Sequence, residues 1–164
     1  DGSEERMSFI IGIDPGASGA IAILEKNGKL VHVFDMPSVE VMVGGKSKKR
    51  VCPEMLVAEL KMYADQGATA IVEQVSAMPG QGVSSMFAFG ESFGLAKGVL
   101  AGLSIATSTV TPGKWKKAMG VNASKDGSRL KAAQLWPLSA GEFKRVKDDG
   151  RAEACLIAEW SRTS

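Results

Sequence analysis

Three short apolar runs open the chain, and the breaks between them are too short to carry a crossover. Phe9 to Asp14 reads FIIGID, Gly19 to Leu24 reads GAIAIL, and Leu30 to Asp35 reads LVHVFD. Pro15-Gly16 breaks the first run, and Asn27-Gly28 is a strong hairpin signal before the third. Parallel neighbours need a connection of roughly a dozen residues or more, so these runs pair as an antiparallel meander.

Helices and strands then alternate. Pro53 opens a helix at a favourable first-turn position, with Leu56, Leu60 and Tyr63 as its apolar stripe and Gly67 at its end. Ala70 to Glu73 (AIVE) is a short buried strand. Val83 to Gly102 reads as a long helix rich in small residues: Gly90, Gly94, Ala96, Gly98 and Ala101. Close packing against the sheet or a partner subunit would explain them. Ser104 to Val110 is a fifth strand, and Thr111-Pro112 starts a short basic helix carrying Trp115. Ser124 is a good N-cap for a helix to about Leu135. Ser139 to Val146 suits a short helix, and Asp149 to Ser161 a last one with an acidic first turn. Trp115 and Trp136 are expected in the core, and Ser38 to Arg50 as a loop or irregular strand. The expected fold class is α/β: a mixed five-stranded sheet, three antiparallel strands plus two parallel ones, flanked by helices. It forms one domain over residues 7–164, and the polar DGSEER at residues 1–6 reads as a disordered leader or an expression remnant.

Composition removes several classes. The chain has 164 residues, two cysteines (Cys52 and Cys155) and one histidine, His32. A zinc site built on Cys and His is excluded, and a Cys–His nucleophile pair would need His32 close by. The apolar runs fall far short of a membrane span and no signal peptide is visible, so the expectation is a protein that is neither membrane-bound nor secreted. The net charge of +2 conceals segregation. Pro37 to Pro53 carries Lys46, Lys48, Lys49 and Arg50 against Glu40, a net +3. Thr111 to Lys147 carries nine basic residues against Asp126 and Glu142, a net +7, leaving −8 for the remainder. Basic blocks set apart in this way suggest a polyanion partner.

Four acids stand out by position. Asp14 ends the first strand and Glu73 the fourth, while Asp149 and Glu153 lie four apart on one face of the last helix. A carboxylate ending an apolar strand is costly to bury alone. Three or four converging carboxylates repel one another without a cation, and an all-oxygen set of this kind suits magnesium or manganese. Two such ions, about 4 Å apart, stabilise the attacking and leaving oxygens of phosphodiester cleavage.

Four segments carry a family resemblance: IGIDPGASGAIAIL (Ile11 to Leu24), AIVEQ (Ala70 to Gln74), SKDGSRLKAAQLWP (Ser124 to Pro137) and KDDGRAEACLIAEW (Lys147 to Trp160). In this order they resemble the RuvC-type Holliday junction resolvases, above all the phage and chloroplast branches, over Phe9 to Trp160. The resemblance implies an RNase H-like fold, a homodimer, two Mg2+ or Mn2+ ions per site, and no nucleotide cofactor. It implies four-way junction DNA as substrate, cut by paired symmetric nicks that leave 5′-phosphates. It also implies a bacterial cytoplasm, of a host for a phage-encoded protein, or an organelle nucleoid.

By motif match, Asp14, Glu73, Asp149 and Glu153 are the catalytic metal ligands. Asp149 is preferred to Asp148 because positions four apart share a helix face and five apart diverge. The bacterial archetype spaces these two acids by three residues and uses aspartate for both, whereas here the spacing is four and the second is glutamate. Lys125 matches the SK…SR motif, either as a catalytic lysine orienting water or neutralising the scissile phosphate, or as a simple phosphate contact. Backbone contacts are expected from Lys46, Lys48, Lys49, Arg50, Lys114, Lys116, Lys117, Arg129 and Lys131. In the loop after Glu73 the family opens the junction centre with an apolar side chain. Met78 is the preferred wedge among Met78, Met86, Phe87 and Phe89, with Phe87 and Phe89 read as core or dimer-interface residues.

Parts of this sequence also fit other protein classes. GIDPGASGAIAIL also resembles the first phosphate loop of actin-like ATPases and sugar kinases, which need a second such domain and an adenosine motif. An inactive junction-binding module, or a nuclease for flaps and forks, would share the same residues.

Overall fold

The computed structural model describes residues 8–74, 76–121 and 125–164, with Lys125 through its backbone only. The leader, the Ser124 cap and the Lys125 side chain lie outside the described residues. Strands β1 (Phe9–Asp14), β2 (Ala20–Glu25) and β3 (Leu30–Asp35) form the expected meander. Strands β4 (Ser38–Val43) and β5 (Lys46–Val51) follow, then helix α1 (Pro53–Asp65) and strand β6 (Thr69–Glu73). Helix α2 (Val83–Gly102), strand β7 (Ala106–Val110) and helices α3 (Pro112–Ala118) and α4 (Lys125–Leu135) come next. Two short 3-10 turns, Pro137–Phe143 and Val146–Asp148, lead into α5 (Asp149–Thr163).

The main sheet has the order β3-β2-β1-β6-β7, with β6 parallel to both β1 and β7. This is the expected mixed five-stranded sheet with helices on both faces. Ser38 to Arg50 differs from expectation: it is a regular β4–β5 hairpin forming its own two-stranded sheet. Gly44 and Gly45 turn it at φ 58° and 77°, the left-handed pair a tight hairpin requires. Glycine strips the side chain from both turn positions, and alternation on either side sets the register. Ser139 to Val146 differs in kind, being 3-10 rather than α-helical, and it starts at Pro137.

Each face of the sheet has its own core. Ile11, Ile13, Ile21 and Ile23 pack with Leu56, Leu60, Ala96 and Leu100 of α1 and α2. On the other face Ile10, Ala20, Ala22, Leu24 and Ile71 meet Trp115, Trp136 and the α5 residues Ala152, Ala154, Leu156 and Ala158. Both tryptophans are buried, as expected. Gly12 lies on this second face, and a Cβ placed there would come within 2.2 Å of the Ala154 carbonyl oxygen and 2.8 Å of the Ala158 Cβ. Helix α5 therefore rests directly on the backbone of β1. Arg151 fastens its first turns, reaching Asp35 of β3 at 2.8 Å and Glu142 of the 3-10 turn at 2.7 Å.

The small residues of α2 differ from part of the expectation. Ala96 packs in the core, but a Cβ at Gly90, Gly94, Gly98 or Gly102 would meet nothing within 4 Å. These glycines face away from the sheet. Phe87 and Phe89 are 74% and 41% exposed, so neither belongs to the core. Among the described residues no helix is long and apolar enough to cross a membrane.

The α5–β1 contact generates a stability prediction. Gly12→Ala must displace backbone rather than a flexible side chain, an overpacking defect of ~1–3 kcal/mol. A thermal melt should show a midpoint lowered by ~2–4 °C for each kcal/mol. An unchanged midpoint would mean that α5 can lift off β1 without loss.

Candidate active site

Two facts of register bring the acids together. Strand β6 runs parallel to β1 with Val72 beside Ile13, so Glu73 and Asp14 end neighbouring strands at the same edge of the sheet. Side chains alternate across a strand, so Asp14 shares the face of Gly12, and Glu73 that of Ile71, the face covered by α5. Because α5 lies so close to Gly12, its first turn reaches Asp14: a Cβ on Gly150 would sit 3.3 Å from Asp14 Oδ2. One carboxylate oxygen from each of Asp14, Glu73 and Glu153 falls within 4.8 Å of the other two. Asp149 lines the same cleft, with Lys49 and Arg50 at the base of the β4–β5 hairpin and Phe89 of α2.

The electrostatics are those of a site short of positive charge. Burial raises the Asp14 carboxyl well above the ordinary aspartate range, and the charges of Glu153, Glu73 and Asp149 push the same way. Lys116 opposes them only in part. Burial also raises Glu73, against a hydrogen bond from Trp115 and the charge of Lys116. Buried carboxylates brought this close together are what a hard divalent cation relieves, so the donor set fits Mg2+ or Mn2+.

The adjacent acids Asp148 and Asp149 part company. Asp148 is 1% exposed, and both of its oxygens accept hydrogen bonds from Arg145, including the Arg145 backbone N–H at 2.8 Å. Burial alone would raise its pKa, but those bonds and the Arg145 charge hold it below the ordinary range. Asp149, one residue on, takes the position in the cleft.

Two neighbours on α3 support the cluster in ways the sequence reading does not anticipate. Trp115 is fully buried, and its indole Nε1–H donates to Glu73 Oε2 at 2.7 Å. Lys116, expected as a backbone contact, has its Nζ 3.7 Å from Glu153 Oε1. The available signal was topological: β7 ends at Val110 opposite Glu73, so a helix starting at Pro112 begins beside the acid.

The other expected residues are dispersed. Lys114 lies over the Trp160 ring at 5.6 Å, and Lys117 is exposed on the same helix. Arg129 is tied to Asp126 and to the carbonyls of Phe143 and Lys144, whereas Lys131 is half-buried on α4. Lys46 and Lys48 stand on the β4–β5 hairpin. Met78 is 64% exposed, in a hollow beside Glu73 with Phe89 and Pro112. Cys155 is fully buried, and burial pushes its thiol far up, so it is inert.

No protein-family model matches the sequence, and no curated protein sequence matches it. Solved structures do match in shape. RuvC of Thermus thermophilus in complex with a Holliday junction substrate superposes with a TM-score of 0.55 at 14% identity, over 93% of this chain and 91% of that one. A second Thermus thermophilus RuvC structure gives a TM-score of 0.50 at 16% identity, over 94% and 96%. The chain has the RNase H-like fold of these structures.

The raised carboxyls yield a pH prediction with a definite sign. A carboxyl whose folded pKa exceeds its unfolded one favours folding most when both states hold the proton. That advantage is lost as pH rises from the unfolded value, ~3.9, through the raised folded value. Above this window ionised Asp14 destabilises the metal-free protein. Asp14→Asn should therefore raise the melting temperature in EDTA at about pH 8 by ~2–4 °C for each kcal/mol relieved. The difference should vanish as pH falls toward ~4. A variant melting below the parent at pH 8 would contradict the strain assigned to Asp14.

Proposed function

We propose that the chain is a divalent-metal-dependent endonuclease that resolves four-way DNA junctions by paired symmetric nicks, leaving 5′-phosphate ends. The observation that carries this reading is the convergence of Asp14, Glu73 and Glu153, with Asp149 alongside, on an RNase H-like sheet. A basic border and a neighbouring structure solved with a Holliday junction support the substrate class.

Asp14, Glu73, Asp149 and Glu153 would hold one or two Mg2+ or Mn2+ ions. Such ions, when bound, activate water and stabilise the departing 3′ oxygen. The chain's own residues do the rest. Trp115 occupies one oxygen of Glu73 and so fixes which oxygen is presented. Lys116 partly neutralises Glu153, and Lys49 and Arg50 border the cleft where the phosphate enters. Lys125, at the head of α4, would orient water or contact phosphate. Met78 is exposed beside Glu73 and would be the wedge at the junction centre.

Resolution needs two sites, and a homodimer supplies them with the two-fold symmetry of the junction. We assign the partner contact to the outward face of α2. There Val83 (81% exposed) and Phe87 lead into Gly90, Gly94 and Gly98, so apolar and small residues line one side of the helix.

A synthetic four-way junction, incubated with magnesium or with EDTA beside a matched linear duplex, tests the reading. Magnesium-dependent nicks at symmetric positions in the junction alone are expected. Asp14→Asn should abolish cleavage and retain binding. Equal cutting of duplex, or preference for flaps, would keep the metal nuclease and remove junction specificity. Binding without cleavage would make the chain a recognition module.

Trp115 provides a second test. Trp115→Phe keeps a buried ring but removes the donor. Mn2+ affinity read by calorimetry should fall by ~10-fold or more, the usual effect of losing an outer hydrogen bond at a metal site. Unchanged affinity with a lowered melting temperature would reduce Trp115 to packing.

A further inference from the structure

The β4–β5 hairpin sorts its charges by face. Its register sets Arg50 opposite Val39, Lys48 opposite Val41 and Lys46 opposite Val43. Directly opposed residues share a face. One face of the ribbon thus carries three cations, three valines and no acid. The other pairs Lys49 with Glu40, Ser47 with Met42 and Val51 with Ser38. There the charge cancels, and Glu40 also accepts a hydrogen bond from Ser47. Apart from Val51 at its base, every side chain of the two strands is exposed or half-buried.

Three like charges in line destabilise a free two-stranded ribbon, which is marginal to begin with. Lysine does guard open strand edges against aggregation, but that duty needs no sorting of acids to the opposite face. Spacing excludes a small anion as the partner. Lys46 and Arg50 are four residues apart, ~13 Å along a strand, so the cations cannot converge on one phosphate. They fit a row of phosphates. Single strands are held on aromatic platforms, and residues 38–51 contain no aromatic side chain. Position supplies the last element. Arg50 borders the acidic cleft while Lys48 and Lys46 lead away from it toward the Gly44-Gly45 tip.

We propose that the Lys46–Lys48–Arg50 face of this ribbon binds the backbone of a double-stranded DNA arm that flanks the cutting site, without reading sequence. The assignment rests on the nuclease reading for the identity of the cleft, and names the part of the substrate that the ribbon holds. The valines on the same face give the duplex a dry contact beside the phosphates.

The test is binding of a four-way junction, a linear duplex and a single strand of equal length, in EDTA over a salt series. Lys46→Gln/Lys48→Gln leaves Lys49, Arg50 and the acids in place. Each lost phosphate contact lowers the slope of log K against log salt by ~0.9, so the double variant should lose ~1.8 on junction and duplex. Its melting temperature should not fall, since two like charges are removed from the ribbon, and a hydroxyl-radical footprint should shorten on one arm beside the cut. An unchanged slope with the parent still cutting junctions would overturn the ribbon assignment alone. An equal loss of slope on the single strand would overturn the duplex assignment. A parent that never cuts DNA, with the slope still falling on duplex, would overturn the nuclease reading and uphold the ribbon.

Discussion

The rest of the structure depends on the absence of a side chain at Gly12. A helix normally stands off a sheet by the thickness of the side chains between them. Here α5 descends until the Ala154 carbonyl occupies the space where a Cβ would be. That closeness, with alanines at 152, 154 and 158 on the helix side, brings Asp149 and Glu153 within reach of a carboxylate on β1. A conventional stand-off would leave the strand acids and the helix acids as separate surface features. The glycine-on-alanine contact is thus a packing solution with an electrostatic consequence.

That consequence is managed by division of labour. Asp148 is satisfied internally by Arg145 and closes the turn before α5. Asp149, with the same side chain one position later, contributes to the negative field on Asp14. Positive charge enters the site sparingly, from Lys116 on Glu153 and from Lys49 and Arg50 at the rim. Full neutralisation by protein side chains would leave nothing for a cation to do. The carboxyl cluster is thus left with more negative charge than its own side chains neutralise.

Much of this was legible in the sequence, for physical reasons. The meander follows from short apolar runs and the brief breaks between them, and an acid at the end of an otherwise buried strand has few explanations. The hairpin at Ser38 to Val51 escapes that reading because lysine and arginine are poor strand formers. Its signal was Gly44-Gly45 between two alternating segments. Burial of Trp115 could be read from its chemistry, but the direction of its N–H could not, since periodicity locates a side chain and not its donor. The α2 glycines permit a close approach without saying of what, and they turn out to face away from the sheet. The Ser124 cap and the Lys125 side chain fall outside the described residues.

The order of these elements along the chain has a consequence for how the protein is made. Asp14 and Glu73 emerge early in synthesis, but α5 brings Asp149 and Glu153 only after β7, α3 and α4. A growing polypeptide therefore exposes two strand-end acids with no helix to complete them. Partial chains, and products truncated before α5, carry both strand-end acids but lack Asp149 and Glu153. The acid cluster is therefore complete only once α5 has docked on β1.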